Sequence, residues 1–534
     1  MATTTKPKAR GPRKLAKPKP LKSINPRTGE LVREIPTTPV AEVPLVVERA
    51  RKMAPEWAGI GVEGRARMLG GVRHRIYERL DDIIEVVSTE TGKSRQEVLM
   101  FEIFSSLNLL SYMAHIAPKA LQPERVGRIM GPLIFGTKSR VEWRPYGVVG
   151  AITPWNYPLT NCLLAFTGAL LAGNTVVCKP SEVTPASGEL VGELFDVLPP
   201  SVFTIIQGGG DVGAALVDTP CDKISFIGSP PTGRKIMEAA AKHLTPTVME
   251  LGGQDAAIVC EDADIEVSSS GIAWGSFYNA GQTCCSIERV FVHEAIADRF
   301  EERLLEKVSR IKQDESGIRM GPLTFGRQLE TVDRQVQDAI DKGARVLAGG
   351  PDAGRKNTKG SLWYAPTILA DVTGEMDVVR EESFGPVVTI TRVQDDDEAV
   401  RRVNEDGVNL TASIWTKDKR KANRIFQQVN AGVLAANEHG ALPAMGWAPW
   451  GGTGESGFGR LNGVYGIREF AVPTHHAESL MPGQRKMYWF PYDEAHDQVM
   501  RGMSAVYAAR GWSEKLNGVK DTVQGYLKTY RSRL

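Results

Sequence analysis

Hydrophobic and polar positions divide this chain into stretches of different period. Between about Val40 and Ala117 apolar residues recur at steps of three and four, as Leu45, Val46, Ala50, Met53 and Trp57, then Ile83, Ile84, Val87 and Leu99. That spacing predicts helices with one apolar face. From Val148 the pattern changes to short apolar runs separated by helical stretches. The runs are Val148-Val149-Gly150-Ala151-Ile152, Thr175-Val176-Val177-Cys178, residues 202–206, Ile224-Ser225-Phe226-Ile227 and Thr247-Val248-Met249, with helices starting near Leu159, Pro185 and Thr232. Strand, helix, strand repeated in this way predicts an α/β fold, a parallel sheet covered on both faces. A second unit of the same kind begins after Glu250, with Ala256-Ala257-Ile258-Val259 as strand, a helix to about Tyr278, and Val290-Phe291-Val292 as strand. Ahead of the first unit, Leu133-Ile134-Phe135-Gly136 and Val141-Glu142-Trp143 read as two strands around a turn at Thr137-Lys138-Ser139.

Composition narrows the classes. At 534 residues, 42% hydrophobic and 24% charged, the chain is long enough for two or more domains with ordinary cores. A net charge of +2 gives no field that argues for nucleic acid, although the first 22 residues hold eight Lys or Arg and no acid, the mark of a solvated arm. The six cysteines show no metal-ligand spacing, so no metal site is expected, and a reducing compartment fits them best. The most apolar stretch, from Leu159 to Gly173, is too short to span a bilayer and reads as a buried helix. The N-terminus lacks the apolar core of a secretory signal, so the expected location is the cytoplasm.

Candidate chemistry centres on Asn279-Ala280-Gly281-Gln282-Thr283-Cys284-Cys285, a glycine-bearing turn followed by two thiols. A cysteine attacks a carbonyl only as thiolate, so it needs a base and a donor for the developing oxyanion. Glu250, in Met249-Glu250-Leu251-Gly252-Gly253, and Asn156, in Pro154-Trp155-Asn156-Tyr157-Pro158, supply those types. Taken singly they also suit an inert buried thiol, a surface acid and a turn residue. Together, and in this order, they resemble the aldehyde dehydrogenase superfamily from Asn25-Pro26-Arg27-Thr28-Gly29-Glu30 to about Phe470.

That resemblance implies Cys284 as nucleophile, Glu250 as general base and Asn156 as oxyanion donor, with Cys285 as packing. It implies a cofactor site of Trp155, Lys179, Glu182, Gly228, Ser229, Gly233, Glu382 and Phe384. Two glycine clusters compete for the cofactor phosphates, residues 208–213 and Phe226-Ile227-Gly228-Ser229-Pro230-Pro231-Thr232-Gly233. The second ends a strand and opens a helix, which places Ser229 and free amides at a positive helix end, and it is preferred, with 208–213 read as a structural turn. Glu182 can accept from both ribose hydroxyls and would repel a 2′-phosphate, which favours NAD, with NADP as the alternative. Glu381-Glu382-Ser383-Phe384-Gly385-Pro386, Asn437 and residues 450–460 complete the family's motifs. The sequence departs at Gln254 and Gly454, each in place of a common Lys, and at Ala165 and Leu461, where many members have a Lys and a Glu implicated in proton relay.

The implied architecture is two doubly wound parallel-sheet domains and a β oligomerisation arm. Residues 1–22 form the basic arm, 23–127 and 146–250 the cofactor-binding domain, 128–145 and 471–488 the oligomerisation arm, and 251–470 the catalytic domain. Residues 489–534 form an amphipathic helical extension. The implied reaction is NAD-dependent oxidation of an aldehyde to its acid through a thiohemiacetal and a thioester, by a homodimer or homotetramer. Acyl transfer to coenzyme A and a non-catalytic binding protein on the same fold are the alternatives. Tyr157, Trp447 and Trp450 suit either an apolar entrance or core packing. In the extension, Trp512, Leu516, Val519, Val523, Tyr526, Tyr530 and Leu534 share one helix face, with Gly511, Gly518 and Gly525 seven apart on a flank. Docking on the protein's own body or on a neighbouring subunit is one use of that face and peripheral contact with an anionic membrane is the other.

Overall fold

A computed structural model describes residues 19–126, 137–311, 313, 320–351, 353, 362–405, 408–440, 445–480, 489–490 and 492–531. The chain divides into two compact units, Met1–Leu121 with Trp143–Val472, and Gln122–Glu142 with Pro473–Leu534.

The first unit holds two large sheets. The six-stranded sheet runs in the order Gly457–Phe458, Thr247–Leu251, Lys223–Gly228, Val148–Ile152, Thr175–Lys179, Phe203–Ile205. Its strands are parallel except for Gly457–Phe458, which is antiparallel to Thr247–Leu251. The seven-stranded sheet runs Arg345–Ala348, Thr367–Ala370, Val387–Val393, Ile287–His293, Asp255–Val259, Thr411–Trp415, Val433–Ala436. Only Arg345–Ala348 is antiparallel to its neighbour.

The central strands read as unbroken apolar runs because alternate residues feed cores on opposite faces. Val149 and Ala151 join one core and Val148 and Ile152 another, and Ala257 and Val259 are split in the same way from Ala256 and Ile258. The helix Thr160–Ala172 is buried along its whole length, as its composition predicts. Gly173 ends it in the left-handed conformation, φ 102°.

The N-terminal helices are Val43–Gly59, Val62–Glu78, Leu80–Thr91 and Ser105–Ala120. Val46, Ala50 and Trp57 face the core, whereas Leu45 is exposed, one residue off the buried stripe. A π-helical stretch, Val98–Phe104, precedes the last of them.

The second unit carries a three-stranded sheet in the order Ala471–Ser479, Thr137–Pro145, Glu124–Val126. This corrects the expected turn at residues 137–139. Those residues are strand, and Ser139 pairs with Val126, so a partner upstream in the chain overrides their turn-forming character. Residues 133–136 lie outside the described residues.

The unit ends in two helices, Glu494–Ala508 and Trp512–Arg531, packed through glycine. A Cβ on Gly518 would sit 2.7 Å from the Gly502 carbonyl, and one on Gly525 2.7 Å from Val499 Cγ2. The glycine flank, rather than the large apolar face, makes the contact.

Close backbone approach also locks the helix Thr160–Ala172. A Cβ on Gly168 would lie 2.5 Å from the Gly466 carbonyl of the helix Gly463–Arg468. Gly168→Ala should therefore cost about 1–3 kcal/mol through overpacking. Gly70, inside Val62–Glu78, has no heavy atom within 4 Å of an added Cβ, so Gly70→Ala should be neutral or stabilising by up to about 1 kcal/mol. Thermal denaturation of the two variants separates these outcomes.

Candidate active site

The turn that delivers Cys284 is built from left-handed backbone. After the helix Ile265–Phe277, Asn279, Ala280 and Gly281 adopt φ 51°, 55° and 69°. Such a conformation is costly for Ala and persists only where neighbours over-determine it. Asn279 N–H donates to Glu97 Oε1 at 2.7 Å, and the Asn279 amide donates to the Gln282 carbonyl at 3.0 Å and the Asn156 carbonyl at 3.3 Å. Gln282 Oε1 accepts from Thr324 N–H at 2.8 Å, and Thr283 Oγ1 meets the Tyr157 hydroxyl at 2.8 Å. A Cβ on Gly281 would collide with the Gly385 carbonyl, so two motifs a hundred residues apart are pressed together through glycine.

Asn156 is buried and lines the same cavity as Cys284. One amide hydrogen donates to the Gln282 carbonyl at 3.1 Å, and Oδ1 accepts from Asn161 Nδ2 at 2.9 Å. That orients the amide, which carries a second N–H.

Its turn is clamped from below by Lys93 and Glu102, both fully buried. Lys93 Nζ donates to the Asn156 carbonyl, stands 3.3 Å from Glu102 Oε1 and lies 4.5 Å from the centre of the Tyr157 ring. Glu102 Oε2 accepts from Leu159 and Thr160 N–H at 3.1 and 2.9 Å, capping the buried helix. Burial pushes the Lys93 amine down, and the Glu102 and Glu97 carboxylates oppose it.

Glu250 lies in Thr247–Leu251, where Gly457 pairs with it across the antiparallel edge. The segment 450–461 closes on itself through reciprocal bonds between Trp450 and Leu461, both 2.7 Å, and a Cβ on Gly451 would lie 2.8 Å from Glu250 Oε1. Among the described residues neither carboxylate oxygen of Glu250 has a hydrogen-bond partner. Burial pushes its pKa well above the usual carboxylate range, with Arg460 opposing and Glu469 adding to the shift. Cys284 is half-buried. Its thiol is pushed up by the hydrogen bond to Cys285 and then by burial, so it needs a base to ionise it. Cys285 is fully buried, and its carbonyl accepts from His439 Nε2 at 2.6 Å. Burial lowers the His439 pKa to about 4, so the ring is neutral.

One cavity is lined by Cys284, Asn156, Glu250, Trp155, Gly228, Ser229, Glu382 and Phe384. Lys179, Glu182 and Gly233 do not line it. Lys179 ends the strand Thr175–Lys179 and pairs with Glu182 at 2.8 Å; burial raises the Glu182 carboxyl, and Lys179 brings it below its ordinary value. The helix Pro230–Ala241 offers fewer free amides than expected. Pro230 and Pro231 have no N–H, and Thr232 and Gly233 N–H donate to the Ser229 carbonyl at 3.1 and 3.0 Å. Residues 208–213 run directly into the helix Gly210–Asp218, and a Cβ on Gly213 would lie 3.4 Å from Lys179 Cδ.

Glu382 sits against Gly252, where a side chain would displace it, and accepts from Gly253 N–H at 3.2 Å. Behind it Glu288 accepts from Ser383 and Phe384 N–H at 2.9 Å each, and burial pushes its pKa up to about 7. The Trp155 ring meets Phe384 edge to face at 5.5 Å. Lys179, Glu182 and the start of the helix Pro230–Ala241 follow strand carboxyl ends, and the acid Glu382 stands beside aromatic rings, a set of groups that fits a dinucleotide. Trp450 lines the cavity, Tyr157 is buried behind it and Trp447 is exposed.

The sequence reading missed Lys93, Glu97, Glu102, Glu288 and His439. Only Glu97 carried a local signal, the Ser94-x-x-Glu97 capping box that the structure forms.

The family model described as the aldehyde dehydrogenase family matches residues 14–475. The chain is similar to the 4,4′-diapolycopene aldehyde oxidase of Methylomonas sp, 35% identical over 90% of each chain. It is also similar to the peroxisomal aminoaldehyde dehydrogenase 1 of Malus domestica, 36% identical over 84% of this chain and 90% of that one. The solved structure of PnpE in complex with nicotinamide adenine dinucleotide superposes with a TM-score of 0.82 at 32% identity, covering 86% of this chain and 94% of that one.

Lys93→Met would leave Glu102 buried without its counter-charge. A loss of about 3–5 kcal/mol is expected, partly recovered when Glu102→Gln is added. Denaturant midpoints check this, and an unchanged midpoint in the single variant would show that the pair does not hold the turn.

Proposed function

The chain belongs to the aldehyde dehydrogenase family and carries out NAD-dependent oxidation of an aldehyde; on that premise we propose that Cys284 is its nucleophile, Glu250 its base and Asn156 its oxyanion donor. The observation that carries this reading is the shared cavity, which Cys284, Asn156 and Glu250 all line, with both oxygens of the Glu250 carboxyl group buried and without a hydrogen-bond partner among the described residues.

As the Cys284 thiol gives its proton to cavity water, Sγ bonds to the aldehyde carbon, and the free N–H of Asn156 meets the oxyanion, a contribution of about 3–4 kcal/mol for such a donor. NAD held in the cofactor site would supply the acceptor for the hydride on this carbon, leaving the thioester. Glu250 takes a proton from water, whose oxygen attacks the resulting thioester and releases the acid and the thiol. An elevated pKa makes Glu250 the stronger base near neutrality. Ala165 and Leu461 are both buried in the apolar core, so Glu250 exchanges its proton with cavity water rather than through side chains at those positions. Lys179, Glu182, Gly228, Ser229 and Gly233 hold the adenosine and phosphate side of the cofactor. Trp155, Glu382 and Phe384 hold the nicotinamide side. The charge of Glu182 favours NAD over NADP.

Leu164 and Trp450 give the wall an apolar character suited to an uncharged aldehyde. Among the described residues Ala471–Ser479 stands at the end of its sheet, a position that suits pairing with another copy and supports a homodimer or homotetramer. Six free cysteines support a cytoplasmic location. NADH production with aldehydes of graded chain length and one amino aldehyde, with and without coenzyme A, tests the reading. Dependence on coenzyme A would transfer it to acylation.

Cys284→Ala should lower NADH formation by on the order of a millionfold while NAD still binds, and Cys285→Ala should keep most activity. Equal losses in the two variants would move the nucleophile.

Glu250→Gln should give a burst of NADH followed by turnover slowed about 10²–10⁴-fold. In the parent, turnover should fall as pH drops through the elevated Glu250 pKa, because the protonated acid cannot accept from water. Stopped-flow traces and a pH profile check both, and a variant that keeps the parent's acidic limb would point to another base.

A further inference from the structure

The helix Trp512–Arg531 buries the wrong side for a helix that serves only its own unit. Gly518 and Gly525 pack on Glu494–Ala508, and Thr522 N–H lies against Gly502. The large apolar side chains point the other way. Trp512 is 81% exposed, Leu516 64%, Val523 50% and Leu527 53%, with Val519 and Tyr526 also exposed. A solvated helix pair ordinarily hides this stripe.

Charge around the stripe is sorted. On the helical projection Lys515 and Lys520 flank the apolar face, whereas Glu514 and Asp521 lie on the opposite side. Lys528 turns toward Gln498 of the neighbouring helix at 2.9 Å. Two copies meeting through this face would bring lysines against lysines. An anionic lipid surface accepts the apolar side chains and both flanks at once.

We propose that the exposed face of Trp512–Arg531 is a docking surface for an anionic lipid bilayer, with Leu516, Val519 and Val523 entering the interface, Trp512 at its edge, and Lys515 and Lys520 meeting headgroup phosphates. The basic N-terminal segment adds positive charge to the same chain. No helix among the described residues is long and apolar enough to cross a membrane, so the contact is peripheral.

The test is co-sedimentation of the full chain with vesicles of phosphatidylcholine alone and with phosphatidylglycerol added, at low and high salt. Binding to the anionic vesicles that weakens with salt is expected. Leu516→Glu with Val523→Glu should lower the bound fraction at least tenfold, and Lys515→Glu with Lys520→Glu should lower it and flatten the salt dependence. Both double variants should keep the parent's activity on a water-soluble aldehyde. No binding by the parent, or equal binding by the parent and the Leu516→Glu/Val523→Glu variant, overturns the proposal. Complete loss of binding on removing residues 1–18 alone also overturns it, because the arm would then be the anchor. A lower mass for Leu516→Glu/Val523→Glu by light scattering without lipid would do the same, since the face would then join copies of this chain. Lipid binding is read independently of catalysis, so the result does not depend on the roles assigned to Cys284, Glu250 and Asn156.

Discussion

The site depends first on a buried ion pair. Lys93 and Glu102 have no access to solvent, and charges placed there survive only if every donor and acceptor is used. The pair approaches that condition by gripping the Asn156 turn at both ends, with Glu102 Oε1 left to the ion pair alone. Lys93 takes the Asn156 carbonyl, and Glu102 takes the amides that open the helix Thr160–Ala172. Removing either charge would strand the other and release the backbone that aims the Asn156 amide. The π-helical stretch Val98–Phe104 brings Glu102 to this position, an irregularity of the kind found at functional sites.

A second constraint acts on the turn that carries Cys284. Three successive left-handed residues, Asn279 to Gly281, are held by Glu97, Gln282 and Asn156 and by the close approach of Gly281 to Gly385. The Asn156 turn, the Cys284 turn and the acidic motif 381–386 are thus one interlocked body. Burial then sets the chemistry. It pushes the Glu250 carboxyl up, and the hydrogen bond to Cys285 together with burial pushes the Cys284 thiol up, so the ionisation of each is coupled to what enters the cavity. Glu288 and Asp255, pushed up to about 7 and about 8, hold the neighbouring loops through backbone amides.

In the C-terminal helix pair the same size argument runs in reverse. Glycine lets two backbones approach until the large residues have no room between them, so the stripe that looks made for docking inward is left outward. An apolar period identifies a face and not its partner.

The sequence alone determined the α/β class, because strands buried on both faces cannot hide their apolar runs, and it brought out Cys284, Glu250 and Asn156 as candidates, because each sits in a short motif with distinctive neighbours. It also carried the free cysteines and the basic arm, which are matters of composition. Tertiary structure decided what depends on groups far apart in the chain. Lys93 reaches Asn156 across 63 residues and Glu288 reaches Ser383 across 95, separations at which no local period or spacing exists to be read. It made strand of residues 137–139 by supplying Val126 as partner, and it left Ser229 with few free amides because helical bonding used the next N–H groups available. Periodicity reports how a residue sits on its own element, whereas burial, pKa and the direction of a docking face are set by the elements packed against it.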